Sequence, residues 1–324
     1  MTEKIRWGIL STARIGRDRV IPAMQKAHNA EVTAVASRNL ATAESFAADL
    51  GIPRAFGSYE EMLADPDIDA IYNPLPNNLH AEWSIRCAEA GKATLCEKPL
   101  ASNAAEAQTM VDAFAKHNVP FAEAFMYRFH PQTQTVKRLI DEGAIGTVNS
   151  IASAFTFPIG NEDDIRLKAN MAGGGLMDVG CYCISIMRYL TGEEPTTGKA
   201  LAVIGERSQV DESLVGILQF PSGVLGHFDC GVRSHVENNY EVRGTKGRIL
   251  VERAFVIPQE DAVIRVWRGN DYEEIRVPNA NSYTLMTEDF SDAILNKRPP
   301  LFAPQDAVAN MAVIDLLLAS LSQA

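Results

Sequence analysis

Apolar residues recur along the first 123 positions in two alternating rhythms. Short unbroken apolar runs of strand length give way to longer stretches in which apolar side chains return every three or four residues. These are the periods of buried strands and amphipathic helices. The runs predict strands over Lys4–Leu10, Ala30–Ser37, Arg54–Phe56, Ile68–Asn73, Ala93–Cys96 and Val119–Glu123. Between them the spacing predicts a helix from Ala13, restarting with Pro22 in its first turn, and further helices over Thr42–Leu50, Tyr59–Ala64, Leu79–Ala90 and Ala104–His117. Gly91 supplies a helix stop. Alternation of this kind belongs to an α/β Rossmann domain, a doubly wound parallel sheet covered on both faces.

After Glu123 the rhythm changes. A helix ends near Gly143, a strand runs over Val148–Phe157, and a glycine-rich entry at Ala172 leads into an apolar helix reaching Leu190. Polarity then alternates residue by residue over Ala200–Glu206, Ser213–Phe220, Val224–Cys230, Tyr240–Arg243, Arg248–Glu252, Ala262–Arg268 and Glu273–Val277. Pro221-Ser-Gly and Gly269-Asn-Asp are hairpin turns, so this sheet is antiparallel with one face free. Helices over Leu285–Leu295 and Pro304–Leu321 close the chain. The expected division is a nucleotide-binding domain over 1–123 and an α+β domain over 124–324 with a large, mostly antiparallel, open-faced sheet. An apolar sheet face of that size predicts a covering partner, and a homodimer through it is expected.

A chain of 324 residues is long enough for two such cores. Its net charge of -11 argues against a nucleic-acid partner or an anionic membrane surface. The opening Met1-Thr-Glu-Lys-Ile-Arg-Trp has no apolar signal core and no run is long enough to span a bilayer, so a cytoplasmic location is expected. Cys87, Cys96, Cys181, Cys183 and Cys230 lie in apolar surroundings and read as buried thiols; Cys181-Tyr-Cys183 lacks the second half of a metal site, and no metal is expected.

Candidate chemistry gathers at strand ends. The run Ala93-Thr-Leu-Cys96 is cut off by Glu97 and Lys98, and Pro99 cannot donate to a ladder. A lysine and a glutamate are thus held where parallel sheets open their crevice, although two solvated charges would have the same spacing. The first turn, Gly8-Ile-Leu-Ser11-Thr12-Ala13-Arg14-Ile15-Gly16, has the spacing of a dinucleotide fingerprint with Ser11 and Ala13 in place of two glycines. Gly8, Ser11, Thr12, Ala13, Arg14 and Ile15 are therefore candidates for holding a pyrophosphate. The second strand ends in Ser37-Arg38 with no acid for a ribose hydroxyl, which suits the 2′-phosphate of NADP. The fourth ends in Asn73-Pro74-Leu-Pro-Asn77-Asn-Leu-His80, and Pro74, Asn77 and His80 are candidates for lining the nicotinamide ribose. Asp178 and Tyr182, four apart at the start of the apolar helix, share one face: a capped helix with a half-buried tyrosine, or a proton-transfer group with its orienting acid.

Taken together, Trp7-Gly8-Ile-Leu, Cys96-Glu97-Lys98-Pro99, Phe125-Met-Tyr127-Arg128-Phe-His-Pro131 and Gly173-Gly-Gly-Leu-Met-Asp178-Val-Gly180-Cys-Tyr182 resemble the glucose–fructose oxidoreductase / inositol dehydrogenase / MocA family over essentially the whole chain. Many members carry histidine where this chain has Tyr182; the tyrosine form resembles the branch of dimeric dihydrodiol dehydrogenases and NADP-dependent xylose dehydrogenases. The resemblance implies a cis peptide before Pro99, and Lys98 and Tyr182 converging on the nicotinamide. It also implies that Arg128 and the Tyr127 region approach the substrate. Phe157 and Asp178 are further substrate-binding candidates, and Glu97 reads as structural, anchoring the strand end or ribose side. Asn161, Asp163, Asp164 and Arg166 are further substrate-loop candidates. The implied activity is NADP(H)-dependent hydride transfer between the nicotinamide and a carbinol or carbonyl carbon of a sugar, of the aldose 1-dehydrogenase type, or of a cyclic trans-diol. The alternatives are a keto-sugar reductase or aldose–aldose oxidoreductase with tightly held NADP, and a non-catalytic NADP-sensing regulator.

Overall fold

The computed structural model describes residues 3–321. The chain divides into two compact units, Met1–Met126 with Asn281–Val308, and Tyr127–Ala280 with Ala309–Ala324.

In the first unit, β1 (Ile5–Leu10), β2 (Ala30–Ala36), β3 (Arg54–Phe56), β4 (Ala70–Asn73), β5 (Ala93–Cys96) and β6 (Phe121–Glu123) form a sheet of order β3-β2-β1-β4-β5-β6. Every neighbouring pair is parallel. Its interior is apolar, with Trp7, Ile9, Leu10, Ile71 and Leu95 buried. Strand order reverses between β1 and β4, so their carboxyl ends flank the switch point where this class of sheet takes its ligand. The helices are α1 (Ile21–Met24), α2 (Leu40–Leu50), α3 (Tyr59–Leu63), α4 (Asn77–Glu89) and α5 (Ala104–His117). Short polar side chains start three of them: Asn39, Ser58 and Asn103 accept from the main-chain N–H of Thr42, Glu61 and Glu106. The sequence reads a helix restart at Pro22. In the structure a π-helical turn over Gly16–Val20 leads into α1, and the Ile21 N–H reaches back to the Gly16 carbonyl. That widened turn brings Pro22 into the helix without the ring clash of a regular turn.

In the second unit, α6 (Pro131–Asp141) precedes β7 (Val148–Thr156). A π-helical turn over Leu176–Gly180 then opens α7 (Cys181–Thr191). The strands β8 (Thr197–Ile204), β9 (Asp211–Gln219), β10 (Leu225–Gly231), β11 (Glu237–Gly244), β12 (Gly247–Val251), β13 (Ala262–Arg268) and β14 (Asp271–Val277) complete a sheet of order β14-β13-β12-β11-β7-β10-β9-β8. Only β7 and β10 pair in parallel. Alternation is clean in β9 and β10: Leu214, Leu218, Phe228 and Cys230 are buried, whereas Val215, Ile217 and Leu225 are each more than half exposed.

The last two helices are α8 (Ser282–Leu295) and α9 (Pro304–Leu321). Assigning all of 124–324 to one domain needs correction here, because 281–308 returns to the first unit. The cause is the packing of α8 on α1, β1 and β2. Phe290 lies 5.8 Å from the Trp7 ring, and the Trp7 indole donates to Ser291 Oγ at 3.2 Å. Glu288 accepts from the side chain of Asn29 through its carbonyl and pairs with His28. Among the described residues no helix is long and apolar enough to cross a membrane.

Candidate functional site

At the end of β1 the chain turns sharply. Ser11 adopts φ +68°, a left-handed conformation that favours glycine, and its N–H donates to the Ala36 carbonyl at 2.9 Å. Its hydroxyl oxygen is buried and has no hydrogen-bond partner. Thr12 and Ala13 follow, Arg14 and Ile15 begin the helix, and the Arg17 N–H closes its first turn on the Ala13 carbonyl. A turn of small side chains, main-chain N–H groups at a helix start and an orphaned hydroxyl fits the pyrophosphate of a dinucleotide. Gly8 does not belong to this turn. It lies within β1, where a Cβ would press against Ile71, Met62 and Ile68, so its smallness serves strand–helix packing.

Beside the turn is an open cleft of about 500 Å³ lined by Thr12, Arg14, Arg17, Thr42, Ser45 and Phe46. Arg17 lies over the Phe46 ring at 5.0 Å and pairs with Asp49. Ser37 is half-buried and Arg38 exposed at the neighbouring end of β2. Sequence reasoning missed Thr42 and Ser45; their three-residue spacing on a helix following Ser37-Arg38 is the signal that marks one exposed face.

At the ends of β4 and β5, the Glu97 N–H donates to the Asn73 carbonyl at 3.0 Å, and the Lys98–Pro99 peptide is cis. Glu97 is buried, and its Oε1 accepts from the Tyr72 hydroxyl at 2.6 Å. That pair and the burial of Tyr72 hold its phenol pKa far above the ordinary range, with burial the larger cause. Glu97 is thus an anchor of the strand end, while Lys98 remains partly exposed. Pro74 is buried and Asn77, at the first position of α4, half-exposed. His80 is not presented to a ligand: it is fully buried, with Nδ1 3.0 Å from the Pro99 carbonyl and Nε2 2.7 Å from that of Leu75. Burial lowers its pKa to about 4, so the neutral ring ties the loop after β4 to the cis-proline loop.

In the second unit, Tyr182 stands in the first turn of α7, 6 % exposed, walled by the rings of Phe155, Phe255 and Tyr127 at 5.3, 5.4 and 5.6 Å. Tyr127 is fully buried and donates to Ser185 Oγ at 2.8 Å, and Arg128 is buried with its guanidinium 5.2 Å from the Tyr189 ring. Both side chains are buried: the Tyr127 ring forms part of the wall around Tyr182, and Arg128 lies against Tyr189. Asp178, within the π-helical turn, accepts from Arg166 Nε at 2.7 Å, and the same guanidinium pairs with Asp164. These carboxylates, Asp178 foremost, raise the Arg166 pKa. Phe157 is half-buried, 6.0 Å from that guanidinium. Asp164, Arg166, Phe157 and Asp178 therefore come together, whereas Asn161 and Asp163 form an exposed local turn.

Among the described residues no group of three or more His, Cys, Asp or Glu side chains is placed to hold a metal ion. All five cysteines are buried.

Comparison with known proteins agrees with this architecture. The model described as "Oxidoreductase family, NAD-binding Rossmann fold" matches residues 5–125, and the GFO/IDH/MocA C-terminal domain matches residues 133–250. D-xylose 1-dehydrogenase (NADP(+)) 2 of Haloferax volcanii is 37% identical over 317 residues, 97% of this chain and 96% of that protein. Trans-1,2-dihydrobenzene-1,2-diol dehydrogenase of Mus musculus is 35% identical over 252 residues, 77% of this chain and 75% of that protein. A 3-ketoreductase from Actinomadura kijaniata, solved in complex with NADP and TDP-benzene, superposes with a TM-score of 0.94 at 31% identity, covering 98% of each chain. With a nucleotide-binding sheet reversed at β1 and β4, followed by the matching open sheet, this chain belongs to the GFO/IDH/MocA family of oxidoreductases.

Proposed function

We propose that this oxidoreductase is an NADP(H)-dependent dehydrogenase of sugars, oxidising the anomeric carbinol of an aldose, with cyclic trans-diols as the neighbouring substrate class. The observation that carries the reading is Tyr182, a phenol held by an aromatic wall one helical turn after an Asp178 that Arg166 fixes. The names of the xylose and dihydrodiol dehydrogenases among its relatives support the substrate class. Bound NADP supplies the acceptor for the hydride leaving the carbinol carbon. Tyr182 takes the hydroxyl proton, and Asp178 accepts a hydrogen bond from an adjacent substrate hydroxyl. The Lys98 ammonium stabilises negative charge developing on the substrate oxygen. Ser11, Thr12 and Ala13 hold the pyrophosphate, and Ser37 with Arg38 the 2′-phosphate.

A panel of aldoses and trans-diols assayed with NADP, following absorbance of the reduced cofactor, tests the reading. Turnover of at least one aldose or diol is expected. Silence across the panel with tight NADPH binding intact would mean a cofactor-sensing regulator. Reduction of a nucleotide-linked keto sugar is the second reading, favoured by the likeness to the Actinomadura enzyme; NADPH oxidation by keto sugars alone would establish it instead. Arg38→Ala is expected to raise the KM for NADP about tenfold and leave that for NAD nearly unchanged, the loss of one charge-assisted contact. Equal changes for both cofactors would remove Arg38 from the 2′-phosphate.

The outward face of β8–β10 is proposed as a homodimer interface, since Leu201, Val203, Val215, Ile217 and Leu225 stand exposed there together. Light scattering is expected to give twice the chain mass; a monomer at micromolar concentration contradicts this.

A further inference from the structure

We infer that Asp211 is a positioning residue for the proposed reaction: its buried carboxylate fixes the start of the helix that carries Asp178 and Tyr182. The inference rests on the functional reading above, and the observations behind it are local to the second unit. Asp211 is the first residue of β9 and only 4 % exposed. Its Oδ2 accepts the N–H of Leu176, the first residue of the π-helical turn, at 2.6 Å. The first N–H groups of a helix have no partner within it, so an acceptor arriving from a neighbouring strand sets where the helix begins.

The three glycines before that turn are explained by the same clamp. Gly174 has φ +116°, and a Cβ on it would overlap Asp211 Oδ1. A Cβ on Gly173 would overlap the Arg166 carbonyl oxygen, which accepts from the Gly174 N–H at 2.8 Å. One on Gly175 would lie 3.1 Å from Gly231 Cα on β10. The entry is therefore held between a carboxylate on β9 and the 164–167 segment. Asp178 is then fixed at two points: its N–H donates to the Gly174 carbonyl at 3.0 Å, and its carboxylate receives Arg166 Nε. Any shift of the Gly174–Leu176 step rotates Asp178 and, one turn further, Tyr182. Burial pushes the Asp211 carboxyl up to about 6 despite the main-chain N–H groups around it. A carboxylate retained against that desolvation is a costly way to cap a helix, and a well-aimed one.

Asp211→Ala and Asp211→Asn, compared with Tyr182→Phe, test this with D-xylose and NADP as the first probe pair. For Asp211→Ala, kcat is expected to fall about 30- to 100-fold, the scale of a misplacement near 1 Å, with NADPH affinity within about twofold. Hydrogen exchange over 174–182, a readout that needs no substrate, is expected to accelerate in this variant while the first unit exchanges as before. Asp211→Asn keeps an oxygen for the Leu176 N–H, so it is expected to recover most of both losses. Should Asp211→Ala not fold, Asp211→Ser, too short to reach Leu176 in the same way, takes its place with the same expectations. A lowered thermal midpoint with kcat and 174–182 exchange near wild type would make Asp211 a structural cap only and overturn the inference. Near-wild-type turnover in Tyr182→Phe would overturn the functional reading instead, whatever the Asp211 variants do.

Discussion

Tyr182→Phe is expected to lower kcat for sugar oxidation by about 10²- to 10⁴-fold, the usual worth of a positioned proton-transfer group. The substitution removes one oxygen and nothing of the ring. The contacts with Phe155, Phe255 and Tyr127 are made by ring faces and edges, so packing and helix position are retained. A loss of turnover therefore reports on the hydroxyl itself. The turn proposed to hold the pyrophosphate belongs to the first unit, and NADPH titrated by fluorescence is expected to bind as in the parent. Single-turnover measurement separates the chemical step from product release, and the whole loss should fall on the chemical step. A kcat within about tenfold of wild type would sit below the range for general acid–base catalysis and remove Tyr182 from proton transfer.

Local signals make much of the fold legible in the sequence. The helix read over Ala104–His117 has those bounds in the structure, because Asn103 caps its start and Asn118, at φ +53°, ends it. Strand and helix alternation reads strand ends at Ser37, Asn73 and Cys96, and the structure ends these strands at Ala36, Asn73 and Cys96. Periodicity cannot say which surface an apolar face meets. Met286, Phe290 and Ala293 mark a buried face on α8, but not that it covers Trp7 from nearly three hundred residues away. The same blindness affected single residues. Gly8 looked like part of a phosphate turn and is a packing glycine. His80 looked like a loop ligand and is a buried tie between two carbonyls. Asp211 gave no local sign at all, since its role depends on a strand meeting a helix start thirty-five residues away in sequence.

Gly174→Ala is expected to be among the most damaging single-methyl additions in the chain, costing about 4 kcal/mol of stability as backbone strain and overpacking add. At φ +116° the residue lies beyond the left-handed helical well, in territory that side chains rarely enter. The added Cβ would also meet Asp211 Oδ1, and that carboxylate cannot swing aside without releasing the Leu176 N–H. Gly51→Ala separates the two penalties. Gly51 has φ +66° with nothing within 4 Å of a Cβ, so only the backbone term applies, about 1–2 kcal/mol. Thermal midpoints of the two variants, taken side by side, decide the matter. If Gly174→Ala unfolds no earlier than Gly51→Ala, the carboxylate yields easily, the entry to the helix is loose, and Asp211 cannot be setting the position of Asp178. If Gly174→Ala unfolds far earlier, the triple glycine is the space that Asp211 and the Arg166 segment require, and its sequence signature is one of close approach.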